Sequence, residues 1–397
     1  MTAGMKKDGT KKKLLVTAST FPRWEGDTEP RFVLDLSEAL LEYFDVTVLV
    51  PAAPGAKETE VQNGVNVIRY HYFPVHKWET LCYPGAIVPR IREKKIRVLL
   101  VPFLFLSLYF HLFRLLPDYD VVHAHWLIPQ GMVQSFFKKP YIVTGHGADV
   151  TSLNKGIFRT LKIRCLKHAA HITVVSDHLK NEVLKLYQTE NIDVISMGCK
   201  TENFGKQYRV PDYFGQGEKK VVLFVGRLAE KKGVAYLIEA MKQIDAMLVV
   251  VGDGPLRDSL ESQAKELGDR VQFLGAKTHE ELKTIYASAD VFAAPSVTAK
   301  DGDQEGFGLV MLEAMASGLP VAASNSGGIS DLIHDGENGL LTRERDPGDI
   351  AEKINRILKD DPLRESLIRQ SEKMAEQYSY RTLAGRYAAV IEKRRDC

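Results

Sequence analysis

The chain has 397 residues, 45% hydrophobic and 26% charged. That is too long for one ordinary core, suits two globular domains of just under about 200 residues each, and excludes a disordered chain. A net charge of +2 does not suggest a whole-molecule nucleic-acid binder, and no nucleic-acid partner is expected, although the charge is unevenly placed.

The N-terminus, residues 1–13, is polar and lysine-rich, without the apolar stretch of a signal peptide, so a cytoplasmic location is expected. Short β-branched runs then alternate with longer amphipathic stretches. Strands are expected at 14–18, 46–50, 65–70, 121–125, 141–144, 172–175 and 194–197. A second series is expected at 221–225, 247–251, 271–274, 291–294 and 320–323. Continuous apolar strands separated by helices imply parallel sheets covered on both faces. Two such series imply an α/β protein with two doubly wound, Rossmann-like domains facing across a cleft. The Gly- and Pro-bearing segment 200–220 is the expected linker. The expected division is an N-terminal acceptor-binding domain over 1–205, a C-terminal donor domain over 206–380, and a C-terminal helix over 381–397 packing back on the first domain. Cys82, Cys165, Cys199 and Cys397 are scattered and are expected to be reduced thiols.

One stretch breaks the pattern. Residues 98–116 read VLLVPFLFLSLYFHLFRLL and follow the basic cluster Arg90, Arg92, Lys94, Lys95 and Arg97. Three readings stand: a buried core helix, an interfacial helix on an anionic membrane surface, or a membrane span. Pro102, His111 and Arg114 weigh against the span.

The chemistry concentrates in residues 304–331, QEGFGLVMLEAMASGLPVAASNSGGISD. Glu305 and Glu313 are eight positions apart, and Gly306-Phe307-Gly308 follows the first. Glycines let backbone approach a ligand closely, and free amides at a helix start bind anions. Carboxylates suit the paired hydroxyls of a sugar or ribose. A helix cap at Glu305 and a solvated Glu313 would be the plain alternative. Upstream, the strand 221–225 runs into Gly226, Arg227 and Lys232, a cation pair suited to a diphosphate. The next strand ends in Gly252-Asp253-Gly254-Pro255, by itself a common turn.

These linked motifs, with Pro295-Ser296, Gly318-Leu319-Pro320-Val321 and Gly327-Gly328, resemble family four of the glycosyltransferases, retaining enzymes of the GT-B fold. The resemblance implies that Glu305 and Gly306 meet the donor sugar and that Glu313 holds the ribose. It further implies that the backbone of Phe307, Gly308 and Leu309 meets sugar and phosphates, and that Arg227 and Lys232 grip the diphosphate. Of the adjacent glycines usual after the first strand only Gly26 remains, implied at the phosphates. The loop 297–304 is longer than usual, and Asp331 stands where a glutamate is common. The pairs His123/His125 and His146/Gly147 resemble two further family motifs, which imply that one of His123, His125 and His146 approaches the transferred sugar.

The expected function is metal-independent retaining transfer of a sugar from a nucleoside-diphosphate sugar to a saccharide or lipid-linked acceptor. Polysaccharide or glycolipid assembly is its expected setting. No cofactor or metal is expected, Asp301-Gly302-Asp303 being read as a solvated loop. The alternatives are a non-catalytic nucleotide-sugar-binding paralogue and a GT-B sugar epimerase. An early G-x-G-x-x-G dinucleotide loop is absent from the sequence.

Overall fold

The expected apolar runs fall on or beside strands in a computed structural model that describes residues 4, 6, 9–27, 29–85, 87–300, 305 and 308–393. Strands β1 (Lys13–Thr17), β2 (Asp45–Pro51), β3 (Thr59–Gln62) and β4 (Val65–Tyr70) join β5 (Val121–His125), β6 (Tyr141–Gly145), β7 (His171–Val174) and β8 (Ile192–Val194) in one sheet. Its order is β3-β4-β2-β1-β5-β6-β7-β8, parallel except where β3 runs antiparallel to β4 at the edge. Side chains alternate between faces. Leu15, Leu49, Val122 and Val143 pack under the helices Val101–Leu115 and Gly156–His168. Leu14, Val16, Val46 and Val48 pack under Phe32–Leu40 and Tyr380–Glu392. Both faces are dry, which is why these strands read as unbroken apolar runs.

Strands β9 (Lys220–Val225), β10 (Ala246–Val251), β11 (Val271–Gly275), β12 (Val291–Ala294), β13 (Val321–Ser324) and β14 (Leu340–Thr342) form a second, all-parallel sheet. Its order is β11-β10-β9-β12-β13-β14. Strand order reverses between β1 and β5 in the first sheet and between β9 and β12 in the second. Crevices open at such switch points beyond the carboxyl ends of the strands.

The chain divides into two units, Met1–Met197 with Tyr380–Cys397, and Gly198–Ser379. The division comes earlier than the expected linker because Cys199 already donates its amide to Tyr378 O at 2.9 Å. Phe204 and Phe214, inside that segment, are buried in the second unit's core. The last helix, Tyr380–Glu392, packs on Phe32–Leu40, and Arg386 donates to Val194 O at 2.7 Å. The described cysteines, Cys82, Cys165 and Cys199, are buried and form no disulfide among the described residues; Cys397 lies outside the described residues.

The segment Lys95–Asp118 is, among the described residues, the one helical stretch long and apolar enough to cross a membrane by length and composition. Leu104, Leu108 and Leu112 are buried in the first unit, whereas Phe103, Leu106, Phe110 and Phe113 are exposed. The helix is therefore neither fully core nor free of it. The basic cluster also splits. Arg97 is only 8% exposed and donates to Arg90 O (2.7 Å) and Glu93 (2.9 Å), and Arg90 pairs with Glu93 at 2.8 Å. Those two cations are structural. Arg92, Lys94 and Lys95 are exposed.

Candidate functional site

In the first unit the functional side chains sit at the carboxyl ends of β1, β5 and β6. His123 and His125 alternate with Ala124 along β5, so both rings point to one face, their centroids 4.1 Å apart. His146 follows β6, and its Nε2 lies 3.0 Å from His125 Nδ1. His123 Nε2 shares a hydrogen bond with Thr144 Oγ1 at 2.7 Å, which in turn reaches Thr173 Oγ1 at 2.6 Å. Rings of Phe32, Trp126 and Tyr387 close around the three histidines. Burial, with repulsion from His146, lowers the His123 pKa to about 3. Burial alone lowers His146 to about 3, and burial with both neighbours drives His125 far down. All three rings are thus neutral at physiological pH. His123 Nδ1 and His125 Nε2 are buried without a partner among the described residues, so each retains one hydrogen bond to give or accept.

Asp149 holds this arrangement. Its carboxylate accepts the amides of Leu127 (2.9 Å), His146 (3.1 Å) and Gly147 (2.9 Å), tying the loop after β5 to the loop after β6. Burial raises its pKa against those three hydrogen bonds. The buried ammonium of Lys162 donates to Val150 O (3.0 Å), Ser152 O and Asn154 Oδ1 (2.8 Å), fixing the chain just beyond. Burial lowers its pKa to about 8, opposed by the charge of Asp149. Gly26 stands exposed at the tip of the loop after β1, with φ +79° and open space above it. That loop is stapled by Arg23, whose amide and guanidinium grip Asp27 at 2.7–2.9 Å.

In the second unit three loops converge. The loop after β9 makes a turn over Glu230–Lys232 and reverses at Gly233, φ +64°. A Cβ at Gly233 would stand 1.8 Å from Pro295 O, so only glycine lets this loop cross the loop after β12. Val297 N donates to Lys231 O at 2.8 Å, locking the crossing. The crossing brings the Lys232 ammonium onto the Glu305 carboxylate in an ion pair. Gly328 N, from the turn after β13, donates to Glu305 O at 3.0 Å. Beside the pair the helix Leu309–Ala316 starts from Gly308, φ +72°, where a Cβ would collide with Met311 Cε at 2.4 Å. No side chain among the described residues caps this helix, and uncapped first-turn amides attract anions. Lys232, Glu305, Gly308, Phe224, Ser296 and Met311 line one small crevice.

Other expected residues are placed differently. Arg227 is exposed beyond Gly226 and makes no ion pair among the described residues. Its neighbour Leu228 is buried and anchors the turn to Gly252–Asp253 through Leu228 N to Asp253 O at 2.9 Å. This is what the Gly-Asp-Gly-Pro turn does structurally. Glu313 lies on the 309–316 helix, and its carboxylate accepts Tyr286 Oη at 2.9 Å. Burial raises the pKa of Glu313, and burial with the neighbouring carboxylate raises that of Tyr286. Gly306, Phe307, Asp301 and Asp303 lie outside the described residues. Among the described residues no group of three or more His, Cys, Asp or Glu could hold a metal ion. Asp149, Lys162 and Tyr286 were not anticipated. Asp149 had a signal, a short acid three positions after a strand-end histidine; Tyr286 had none.

Residues 211–374 match the family described as glycosyl transferases group 1, and residues 30–203 match glycosyltransferase family 4. An uncharacterized glycosyltransferase of Methanocaldococcus jannaschii is 30% identical over 374 residues, 88% of this chain and 90% of that protein. A GDP-mannose-dependent alpha-(1-6)-phosphatidylinositol monomannoside mannosyltransferase of Mycolicibacterium smegmatis is 30% identical over 270 residues, 64% of this chain and 70% of that protein. Among solved structures, sucrose-phosphate synthase from Thermosynechococcus elongatus superposes with a TM-score of 0.71 at 24% identity, covering 96% of this chain and 98% of that one. At that identity the likeness speaks to the fold.

Proposed function

The chain belongs to the group 1 glycosyltransferases of family 4, with the GT-B fold, and from that premise we propose that it moves a sugar from a nucleoside-diphosphate sugar to an acceptor hydroxyl, retaining the anomeric configuration and using no metal. The observation that carries the reading is the Lys232–Glu305 ion pair beside the uncapped start of the 309–316 helix. A cation, a carboxylate and a set of free amides within one crevice match a phosphate next to a hydroxylated ring.

A diphosphate at the mouth of this crevice competes with Glu305 for the Lys232 ammonium. Arg227 adds a second, exposed cation, and the amides of Gly308 and Leu309 add fixed donors. As the bond from anomeric carbon to phosphate oxygen breaks, charge grows on that oxygen and these groups hold it more tightly than in the ground state. Glu305, released from Lys232, accepts hydrogen bonds from donor-sugar hydroxyls. Glu313, oriented by Tyr286, accepts those of the ribose. In the first unit the neutral rings His123, His125 and His146 leave His123 Nδ1 and His125 Nε2 able to hydrogen-bond a sugar hydroxyl without adding charge. The acceptor oxygen attacks from the face the leaving group departs from, and the leaving phosphate takes its proton.

The donor class and a saccharide or lipid-linked acceptor are supported by the mycobacterial relative, whose name specifies GDP-mannose and a phosphatidylinositol glycolipid. The proposed setting is polysaccharide or glycolipid assembly on the cytoplasmic side of a membrane. The test is a screen of UDP-, GDP- and ADP-sugars for a rise in melting temperature, followed by nucleoside-diphosphate release with the best ligand. Arg227→Ala should slow release by several-fold to about a thousandfold. Tight binding of a donor with no release under any condition would favour a non-catalytic binding protein instead.

A further inference from the structure

The helix Val101–Leu115 is 15 residues, about 22 Å, long. At about 100° per residue, Leu104, Leu108 and Leu112 share one face, and Phe103, Leu106, Phe110 and Phe113 share the opposite one. The first face is buried in the core of the first unit. The second, continued by Ile96 and Leu99 in the preceding turn Lys95–Leu100, is 43–72% exposed at all six positions. A surface helix of a globular protein ordinarily turns polar side chains outward. A continuous exposed stripe of six large apolar residues marks an interaction face.

The surroundings of the stripe indicate its partner. Arg92, Lys94 and Lys95 lie before it and Arg114 near its far end, all exposed and without an ion pair among the described residues. Arg90 and Arg97 are excluded from this role, since both are committed to Glu93. Cations at both ends of an apolar stripe complement a surface that is greasy inside and anionic at its face. Two copies of the stripe would instead bring like charges together. The helix is also anchored to its own domain. Ser107 Oγ donates to His71 O at 2.7 Å, and the His111 ring lies 5.2 Å from that of Tyr70. Spanning a bilayer would pull Leu104, Leu108 and Leu112 out of the core and carry Arg114 into hydrocarbon, at high cost.

We propose that this stripe docks reversibly and shallowly on an anionic lipid bilayer, with Ile96, Leu99, Phe103, Leu106, Phe110 and Phe113 entering the headgroup boundary and Arg92, Lys94, Lys95 and Arg114 engaging lipid phosphates. The proposal gives the lipid-linked acceptor reading its location, and the docking is measured apart from transfer.

The experiment is flotation of the full chain with vesicles of phosphatidylcholine alone and of phosphatidylcholine with phosphatidylglycerol, at low and high salt. The protein is expected to float with the anionic vesicles at low salt and to dissociate as salt rises. The variant Arg92→Ser/Lys94→Ser/Lys95→Ser should bind these vesicles on the order of a hundredfold more weakly. The variant Leu106→Ser/Phe110→Ser/Phe113→Ser should not float, with circular dichroism and melting temperature unchanged. Failure of the unmodified protein to float with either vesicle overturns the proposal, as does unchanged flotation of the triple-serine apolar variant. A dimer in light scattering that this variant converts to monomer, without flotation, assigns the stripe to a second copy and also overturns it. Donor turnover is read separately: its absence from the unmodified protein, with flotation retained, refutes the transferase reading and leaves the docking surface standing.

Discussion

Lys232→Ala separates what the ion pair does for the fold from what it does for the reaction. The two side chains are 15% and 13% exposed, so the pair sits mostly out of water. Removing the ammonium leaves Glu305 a partly buried carboxylate with one strong donor fewer, a loss of about 1–3 kcal/mol. For a unit of this size that lowers the melting temperature by roughly 2–12 °C. Adding Glu305→Gln to the same chain should restore part of the loss, because the orphaned charge is gone. The catalytic loss is a different quantity. A charge-stabilising donor at a departing oxyanion is worth about 2–4 kcal/mol, so kcat should fall by about 30- to 1,000-fold. Calorimetry reads the first effect and steady-state nucleoside-diphosphate release reads the second. A melting temperature lowered as expected, with kcat and kcat/KM within about threefold of the unmodified protein, would reduce the pair to a structural staple and refute its diphosphate role.

Tyr286→Phe removes the hydroxyl that Glu313 accepts, so stability should drop by about 1 kcal/mol and donor KM should rise with kcat nearly unchanged; a fall in kcat at constant KM would contradict a purely ribose-holding Glu313. The His123 pKa falls from about 6.5 in the unfolded chain to about 3 in the fold. Between those values the unfolded chain binds more protons. Stability is therefore whole above about pH 6.5 and declines below it, by up to about 1.4 kcal/mol per pH unit for each such ring. Urea unfolding at pH 7.0, 6.0 and 5.0 should show this decline and His123→Gln should lessen it; a flat profile would contradict burial of neutral rings. Activity should survive EDTA, and a strict need for Mg²⁺ or Mn²⁺ would instead draw attention to Asp301 and Asp303.

The sheets were legible because both faces of each are dry, which leaves apolar runs no partner but a helix on either side. Strand β3 was not. Its residues Thr59–Gln62 alternate exposed and half-buried at an antiparallel edge, so they carry no apolar run. Strand β14 is three residues long and owes its place to register against β13. The units divide before the Gly- and Pro-bearing segment: Gly205, Pro211, Gly215 and Gly217 mark turns, yet Phe204 just before them and Phe214 among them are buried in the second unit. At the site, Lys232, Glu305 and Gly308 were legible because each belongs to a strand-end or helix-start pattern local in sequence. The contact of Tyr286 with Glu313 spans 27 positions and arises from packing. The neutrality of the three histidines follows from burial by Phe32, Trp126 and Tyr387, which no local pattern announces. The apolar run after Arg97 was visible, but only the burial of Leu104, Leu108 and Leu112 shows which face belongs to the core.

Proton NMR of the purified protein with UDP-, GDP- and ADP-hexoses, water serving as a slow acceptor, tests the central claim most directly. One donor class should lose its anomeric signal at a rate that Lys232→Ala suppresses, and the first sugar released should keep the donor's anomeric configuration before mutarotation. An inverted first-formed anomer, or no turnover of any donor in either the unmodified or the variant protein, would contradict it.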